Sequence, residues 1–142
     1  MKDIKKWFEL AIPNPTIEQA CVQIGCHYEE VAEMMESLAD DYSTEKAVNS
    51  LAVEYKSAKD DHAEHLLMIG THGKTELLDA LCDQIVTAIG VGHMLGMDIL
   101  GALEEVNRSN HSKFEDGKPV FNEQGKISKG VNYTKPELAK FI

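Results

Sequence analysis

Residues 17–40 read IEQACVQIGCHYEEVAEMMESLAD and carry a sustained helical pattern. Their apolar side chains recur at alternating spacings of four and three, at Ile17, Cys21, Ile24, Tyr28, Val31, Met35 and Leu38. Such spacing places apolar groups on one side of a helix and is typical of a helix that packs in a bundle. Pro13 and Pro15 end the preceding helical segment, and Thr16 is a suitable N-cap for the helix that follows. The stretch therefore predicts the main helix of an all-α fold.

The same stretch carries three closely spaced glutamates, Glu29, Glu30 and Glu33. Glu30 and Glu33 lie three residues apart, so they share a helix face that points away from the apolar seam. Like charges at this spacing repel by roughly 0.2–0.5 kcal/mol per pair in an isolated helix. A hard cation such as Mg²⁺ or Mn²⁺, which prefers oxygen ligands, would convert that repulsion into binding. The pattern indicates either a metal site or a solvated acidic face.

A second acidic strip accompanies the third long helix, which the pattern places at residues 74–96. Glu76, Asp79 and Asp83 fall within an arc of roughly 60° on that helix, at about 100° per residue. Its apolar stripe consists of Leu78, Leu81, Ile85, Ile89 and Gly92. Facing carboxylates in a helical core are costly unless a cation compensates them. Two acidic strips therefore favour the metal site.

The rest of the chain predicts further helices and few strands. Residues 2–11 form a short amphipathic helix, Ser43 or Thr44 caps a helix that runs to about Leu67, residues 70–73 form a turn, and Asp98 caps a helix that ends near Phe114. A short hairpin at 119–128 is the one candidate for strands. We therefore expect an all-α bundle of four to five helices in a single domain, 1–142. Residues 1–114 form its bundle, and residues 115–142 form an irregular C-terminal extension, or lid.

Composition limits the class of protein. The 142 residues are 43% hydrophobic and carry a net charge of −10, divided as −13 over residues 1–107 and +3 over residues 108–142. An acidic body argues against nonspecific nucleic-acid binding, which needs a basic surface. No apolar run approaches the roughly 18–20 residues of a membrane span. Three cysteines without a C-x-x-C pair are typical of reduced thiols, so we expect a cytoplasmic protein without nucleic-acid or membrane partners.

Several of these motifs together resemble the all-α nucleoside triphosphate pyrophosphohydrolases, the superfamily of MazG and phosphoribosyl-ATP pyrophosphohydrolase. The family motif E-E-x-x-E is matched by residues 29–33, and its closing helix is similar to LGMDILGALEEVNRSNHSKF, residues 95–114. The tail, with DGK at 116–118, GKISKG at 125–130 and Tyr133-x-x-Pro136, resembles phage-encoded members. The resemblance covers most of the chain and implies a MazG-like helical bundle.

The family's second motif, Glu-x-x-Asp, is matched only in part. Its Asp falls at Asp83, but the position of its Glu is Ala80. Asp79, one residue earlier, is the substitute that we favour. The literal motif is Glu76-x-x-Asp79, one turn upstream, and it stays the alternative.

The resemblance implies a metal-dependent hydrolysis of a (d)NTP to (d)NMP and pyrophosphate, with Mg²⁺ or Mn²⁺ as cofactor. Glu30, Glu33, Asp79 and Asp83 would be the metal ligands, and Glu29 and Glu30 the catalytic residues, with Glu29 orienting or deprotonating the attacking water. The substrate-binding residues would be Asn107, Asn110, Lys113, Lys126, Lys129 and Tyr133. The family also implies a homo-oligomer, a dimer or tetramer. Two alternatives stay open: a phosphoribosyl-ATP pyrophosphohydrolase, and a non-catalytic acidic helical interaction module.

Overall fold

A computed structural model describes residues 1–39, 41–57, 60–122 and 127–142 of the chain. Within those ranges the all-α prediction is confirmed, because the described backbone is helical or irregular and contains only two isolated β-bridges. The helices are α1 (Lys2–Ala11), α2 (Ile17–Ser37), α3 (Tyr42–Lys56), α4 (Asp60–Met68), α5 (Thr71–Met94) and α6 (Ile99–His111), followed by a 3₁₀ turn at Ala139–Phe141.

The described ranges hold six α-helices where the sequence predicted four to five. The single helix expected as far as Leu67 is divided, because α3 ends at Lys56 and α4 begins at Asp60. The rings of Tyr55 and His62 stack with their centroids 4.1 Å apart. In a continuous helix seven residues rise about 10.5 Å, so this stack requires the chain to turn back after α3. The predicted turn at 70–73 is also wrong, since α5 begins at Thr71.

The chain divides into two compact units. We call Asn14–Gly70 the hairpin unit, which holds α2, α3 and α4. Met1–Pro13 and Thr71–Ile142 form the second, which we call the discontinuous unit because the hairpin unit interrupts it in the sequence. The prediction of a single domain stays a prediction.

The hairpin unit depends on a close approach between α2 and α3. Thr16 caps α2 as predicted, with its hydroxyl accepting from the Gln19 amide while the Gln19 side chain accepts from the Thr16 amide. Gly25 is buried on α2, and a Cβ added there would stand 2.6 Å from the carbonyl oxygen of Ala52. Small residues at the contact thus let the two backbones approach closely, and Cys21 and Ala52 are fully buried beside them.

Aspartates cap the N-termini of α3 and α6. The cap of α3 is Asp41 and not Ser43 or Thr44, because the Asp41 carboxylate accepts from the Thr44 amide at 3.1 Å. Asp98 caps α6 as predicted, accepting from the Gly101 amide at 3.0 Å.

The discontinuous unit is centred on Trp7 of α1. The Trp7 ring stacks on Phe114 with centroids 5.7 Å apart, and its indole N–H donates to the main-chain oxygen of Asn110 at 2.9 Å. Ala11 is buried beside them, and Ile127 of the tail packs against this cluster. The N-terminal helix and the tail are therefore parts of one core.

Residues 130–142, which we call the C-terminal strap, are hydrogen-bonded along α6. The Ser109 hydroxyl donates to the main-chain oxygen of Thr134 at 2.8 Å, and the Thr134 amide donates to the Ser112 hydroxyl at 2.8 Å. Further along, the Glu137 amide donates to the Glu105 carboxylate at 3.0 Å. The tail is irregular, as predicted, and the described part of the strap is fixed to its own unit. Of the predicted hairpin at 119–128, the structure describes one isolated bridge, Phe121 to Ile127.

Candidate functional site

The closely spaced glutamates Glu29, Glu30 and Glu33 of α2 occupy different surroundings. Glu29 is partly buried and its carboxylate lies 2.5 Å from the Lys56 ammonium, which is itself only 23% exposed. The Lys56 stem passes close to Gly25, so the contact that brings α3 near α2 also fixes this ion pair. Sequence reasoning missed Lys56, because its position opposite Glu29 depends on the register between the two helices.

Glu30 and Glu33 are both exposed on the neighbouring face of α2. They lie three residues apart on a regular helix, so their side chains project side by side. In the part of the chain that the structure describes, no side chain pairs with the Glu33 carboxylate. The exposure agrees with both interpretations made from the sequence, a metal site and a solvated face.

The acidic strip of α5 is exposed along its whole length. Glu76 has a neighbour of its own, His72, whose Nδ1 lies 3.7 Å from the Glu76 carboxylate and forms an ion pair when protonated. Asp79 and Asp83 have no side-chain partner among the described residues. This difference is consistent with Asp79 and Asp83 as the ligand pair, but both versions of the motif stay predictions.

The predicted ligands form two pairs, one in each unit. Glu30 and Glu33 belong to the hairpin unit, whereas Asp79 and Asp83 belong to the discontinuous unit. Among the described residues no three His, Cys, Asp or Glu side chains are grouped as a metal site. The donor chemistry nevertheless fits Mg²⁺, which is commonly bound by one or two carboxylates together with waters and substrate phosphates.

Three predicted substrate residues lie on α6 and the turn that follows it. Asn107 and Asn110 are partly buried on α6, and Lys113 is partly buried just beyond its end. The main-chain oxygen of Asn110 is occupied by Trp7, which leaves its side-chain amide as the group available to a ligand. The spacing of three residues places the two amides on one face of α6.

Two other predicted substrate residues, Lys129 just before the strap and Tyr133 within it, are in contact. The Lys129 ammonium is 5.0 Å from the centre of the Tyr133 ring, within the range of a cation–π interaction. This contact brings two of the predicted substrate residues together, with the ammonium group over one face of the ring. Lys126 lies outside the described residues.

Arg108 is held by an internal network that sequence reasoning missed. Its guanidinium forms a two-bond fork with Glu105, at 2.9 and 2.8 Å, and a further bond to the Thr134 hydroxyl at 2.5 Å. The hydrogen bonds from Arg108 and from the Glu137 amide lower the pKa of Glu105 from 4.5 to about 2. The same fork raises the pKa of Arg108. Arg108 therefore anchors the strap, and the E-x-x-R spacing was the signal that could have indicated it.

Apolar side chains of α5 are exposed as well as its acids. Leu78 is 63% exposed, Leu81 40% and Ile85 46%. By length and composition alone, Thr71–Met94 is long and apolar enough to cross a membrane, a property that core helices of soluble proteins share. The expectation of no membrane partner stays a prediction.

No family model matches the chain, and comparisons with curated proteins and with solved structures found no match.

Proposed function

We propose that this protein is a metal-dependent nucleoside triphosphate pyrophosphohydrolase that converts a (d)NTP to the (d)NMP and pyrophosphate. The observation that carries the proposal is the pair Glu30 and Glu33, exposed side by side on α2 next to a Glu29 that Lys56 neutralises. Two carboxylates exposed on one helix face offer the oxygen ligands that a hard divalent cation prefers. The motif resemblance of residues 29–33 supports the same reaction.

The proposed cofactor is Mg²⁺ or Mn²⁺, with Glu30, Glu33, Asp79 and Asp83 as ligands. When bound, the cation neutralises phosphate oxygens and lowers the pKa of a water molecule. Glu29 orients the attacking water in this proposal, and the Lys56 ion pair holds its carboxylate in a fixed position. Because phosphoryl transfer depends mainly on positioning and on charge neutralisation, carboxylates and a few cations are sufficient.

The substrate would be held by α6 and the tail. Asn107 and Asn110 offer amides from one helix face, while Lys113, Lys126 and Lys129 offer positive charge to the phosphates, and Tyr133 offers an aromatic face to the base. The net charge of +3 over residues 108–142 supports this division of roles. We further propose a cytoplasmic homo-oligomer.

The experiment is a screen of the full chain against all (d)NTPs, with Mg²⁺ and with Mn²⁺. Equal amounts of pyrophosphate and nucleoside monophosphate should appear, and EDTA should stop the reaction until the cation is added back. Phosphoribosyl-ATP is included as a substrate to test the alternative that the protein is a phosphoribosyl-ATP pyrophosphohydrolase. Release of inorganic phosphate and nucleoside diphosphate, or turnover undiminished in EDTA, would refute the proposal.

One observation favours a second candidate, a non-catalytic acidic module that binds a basic partner. Residues 1–107 carry a net charge of −13, which would attract a basic partner. Such a module would release no pyrophosphate with any nucleotide and would bind a lysine-rich peptide with an affinity that falls as salt is added.

A further inference from the structure

Residues 115–118 form a tight turn that fixes the backbone of Glu115. The Glu115 amide donates to the main-chain oxygen of Lys118, and the Lys118 amide donates to that of Glu115, each at 2.9 Å. Between them Asp116 has a φ of 49° and Gly117 a φ of 74°. Two consecutive positive φ values are typical of a type I′ turn, in which Asp-Gly is a favoured pair. The Asp-Gly-Lys motif therefore holds Glu115 in one position after the end of α6.

The side chain of Glu115 reaches the start of the C-terminal strap. Its Oε1 accepts a hydrogen bond from the Val131 amide at 2.8 Å. A Cβ added at Gly130 would stand 2.8 Å from Cγ and Oε1 of Glu115 and 2.9 Å from the main-chain oxygen of Lys113, so a side chain there would push the strap away. The Val131 residue is 88% exposed, so apolar packing contributes little at this point. The bond to the Glu115 carboxylate is therefore what fixes the chain here.

The segment that is fixed in this way carries Lys129 and Tyr133. The Tyr133 amide donates to the main-chain oxygen of Gly130 at 3.1 Å and closes a turn between them. Directly after this turn, Thr134 is hydrogen-bonded to hydroxyls of α6. The turn is thus anchored by Glu115 on one side and through Thr134 on the other. Lys129 and Tyr133 flank it, with the ammonium 5.0 Å from the ring centre.

We propose that Glu115 is a positioning residue, which holds Lys129 and Tyr133 in the arrangement that binds the nucleotide. This role rests on the hydrolase function proposed above, in which these two side chains contact the substrate. Binding groups that are already fixed lose less conformational entropy when the ligand arrives, so the hydrogen bond from Val131 increases nucleotide affinity. The charge of the Glu115 carboxylate acts in the opposite sense, because it repels a triphosphate. The direction in which KM changes therefore separates positioning from charge.

The first test compares two substitutions of Glu115 in the full chain, with the (d)NTP that the wild type hydrolyses fastest. Glu115→Ala removes the acceptor, so exchange of the Val131 amide hydrogen should become faster and KM should rise at least about three-fold. Its kcat should stay within about two-fold, because Glu29 and the proposed metal ligands are unchanged. Glu115→Gln removes the charge but keeps an oxygen for the Val131 amide, so its KM should stay within about two-fold of the wild type. Glu104→Ala, at an exposed acid of α6, is the control for loss of a charge.

The second test reaches the same turn without changing Glu115. Gly130→Ala should displace the strap, because the main-chain oxygen of Lys113 cannot move aside as a flexible side chain can. It should reproduce the higher KM and the faster Val131 exchange of Glu115→Ala. Gly70→Ala is the matched control, since among the described residues nothing lies within 4 Å of its added Cβ.

The possible outcomes separate this role from the hydrolase function. Faster Val131 exchange with an unchanged KM in Glu115→Ala would overturn the positioning role and leave the hydrolase proposal in place. A lower KM in both Glu115 variants would show that the carboxylate acts by repulsion, which would also overturn it. A wild type that releases no pyrophosphate from any (d)NTP would refute the hydrolase proposal, and the role of Glu115 with it.

Discussion

At the level of single residues, Lys56 distinguishes the glutamates of α2 from one another. It lies 2.5 Å from Glu29, whereas Glu33, one turn further on, has no cation beside it among the described residues. Glu29 is partly buried and Glu33 is exposed. Charge removal should therefore break the Lys56 ion pair and misplace the proposed water-orienting carboxylate at Glu29, whereas at Glu33 it should weaken metal binding.

Glu33→Gln should abolish pyrophosphate release and leave the helical circular dichroism unchanged. Glutamine keeps the size of the side chain and loses its charge, so the loss is expected to exceed about 100-fold in kcat. Glu104→Gln, an exposed acid on α6, is the control and should retain full activity. Undiminished turnover by Glu33→Gln would remove Glu33 from the metal site.

Asn substitutions on α5 decide between the two versions of the second motif. If Asp79 and Asp83 are ligands, Asp79→Asn and Asp83→Asn should each lower kcat by at least about 100-fold, while Glu76→Gln should change it by less than about three-fold. The Glu76 carboxylate already has a neighbouring partner in the His72 side chain. A large loss of kcat in Glu76→Gln together with a small loss in Asp83→Asn would instead identify Glu76-x-x-Asp79 as the ligand pair.

Acid should release the C-terminal strap through Glu105. Its pKa is lowered from 4.5 to about 2 in the folded protein, so its stabilising effect is complete above pH 4.5 and is lost as the pH falls toward 2. Exchange of the Glu137 amide hydrogen should therefore become faster over that range, relative to the amides of α6. Glu105→Gln should show fast exchange at every pH, and Glu104→Gln should behave as the wild type. A Glu137 amide protected equally at pH 5 and pH 2 would contradict this role.

At the level of helices, two glycines should respond in opposite ways to the same substitution. A Cβ at Gly25 would stand 2.6 Å from a backbone oxygen, which cannot move aside, so Gly25→Ala should destabilise the hairpin unit by about 1–3 kcal/mol. Gly90 on α5 has nothing within 4 Å of that position, so Gly90→Ala should stabilise its helix by about 0.5–1 kcal/mol. Urea unfolding of the two variants measures both changes. Stabilisation by Gly25→Ala would show that α3 lies farther from α2.

Sequence pattern predicted the helices where local signals agree, and failed where tertiary contacts decide. The bounds of α1, the Thr16 cap and the Asp98 cap follow from prolines, hydroxyls and carboxylates at fixed offsets. The break after α3 depends on the stack of Tyr55 on His62, which no helical period reveals. The apolar residue Val53 of α3 is 61% exposed, whereas its small neighbour Ala52 is fully buried at the backbone contact with Gly25.

The candidate site was predictable only as a set of side-chain types. Exposed acids at helical spacing follow from the sequence, since spacing alone assigns Glu30 and Glu33 to one face. The sequence does not predict the ion pair of Glu29 with Lys56 or the contact of Arg108 with the strap, because each depends on the register between separate segments.

At the level of the whole molecule, net charge sets the conditions for nucleotide binding. A chain of charge −10 repels a triphosphate, so a divalent cation must neutralise part of that charge before the two associate. A non-hydrolysable nucleoside triphosphate analogue should bind in calorimetry with Mg²⁺ present, and its affinity should fall by at least about ten-fold in EDTA. Tight binding in EDTA would exclude the metal-dependent site, and no binding in either condition would favour the acidic interaction module.

The contact between Trp7 and Phe114 constrains the order in which the chain folds during synthesis. The ring that covers Trp7 of α1 is synthesised more than one hundred residues after it, as is the Asn110 carbonyl that accepts its indole N–H. The hairpin unit is contiguous in sequence and can fold while the rest is still being translated, since local contacts form faster than distant ones. Until Phe114 is synthesised, the apolar side chains of α1 lack their packing partner and stay exposed. It is the segment on which we expect a nascent-chain chaperone to act.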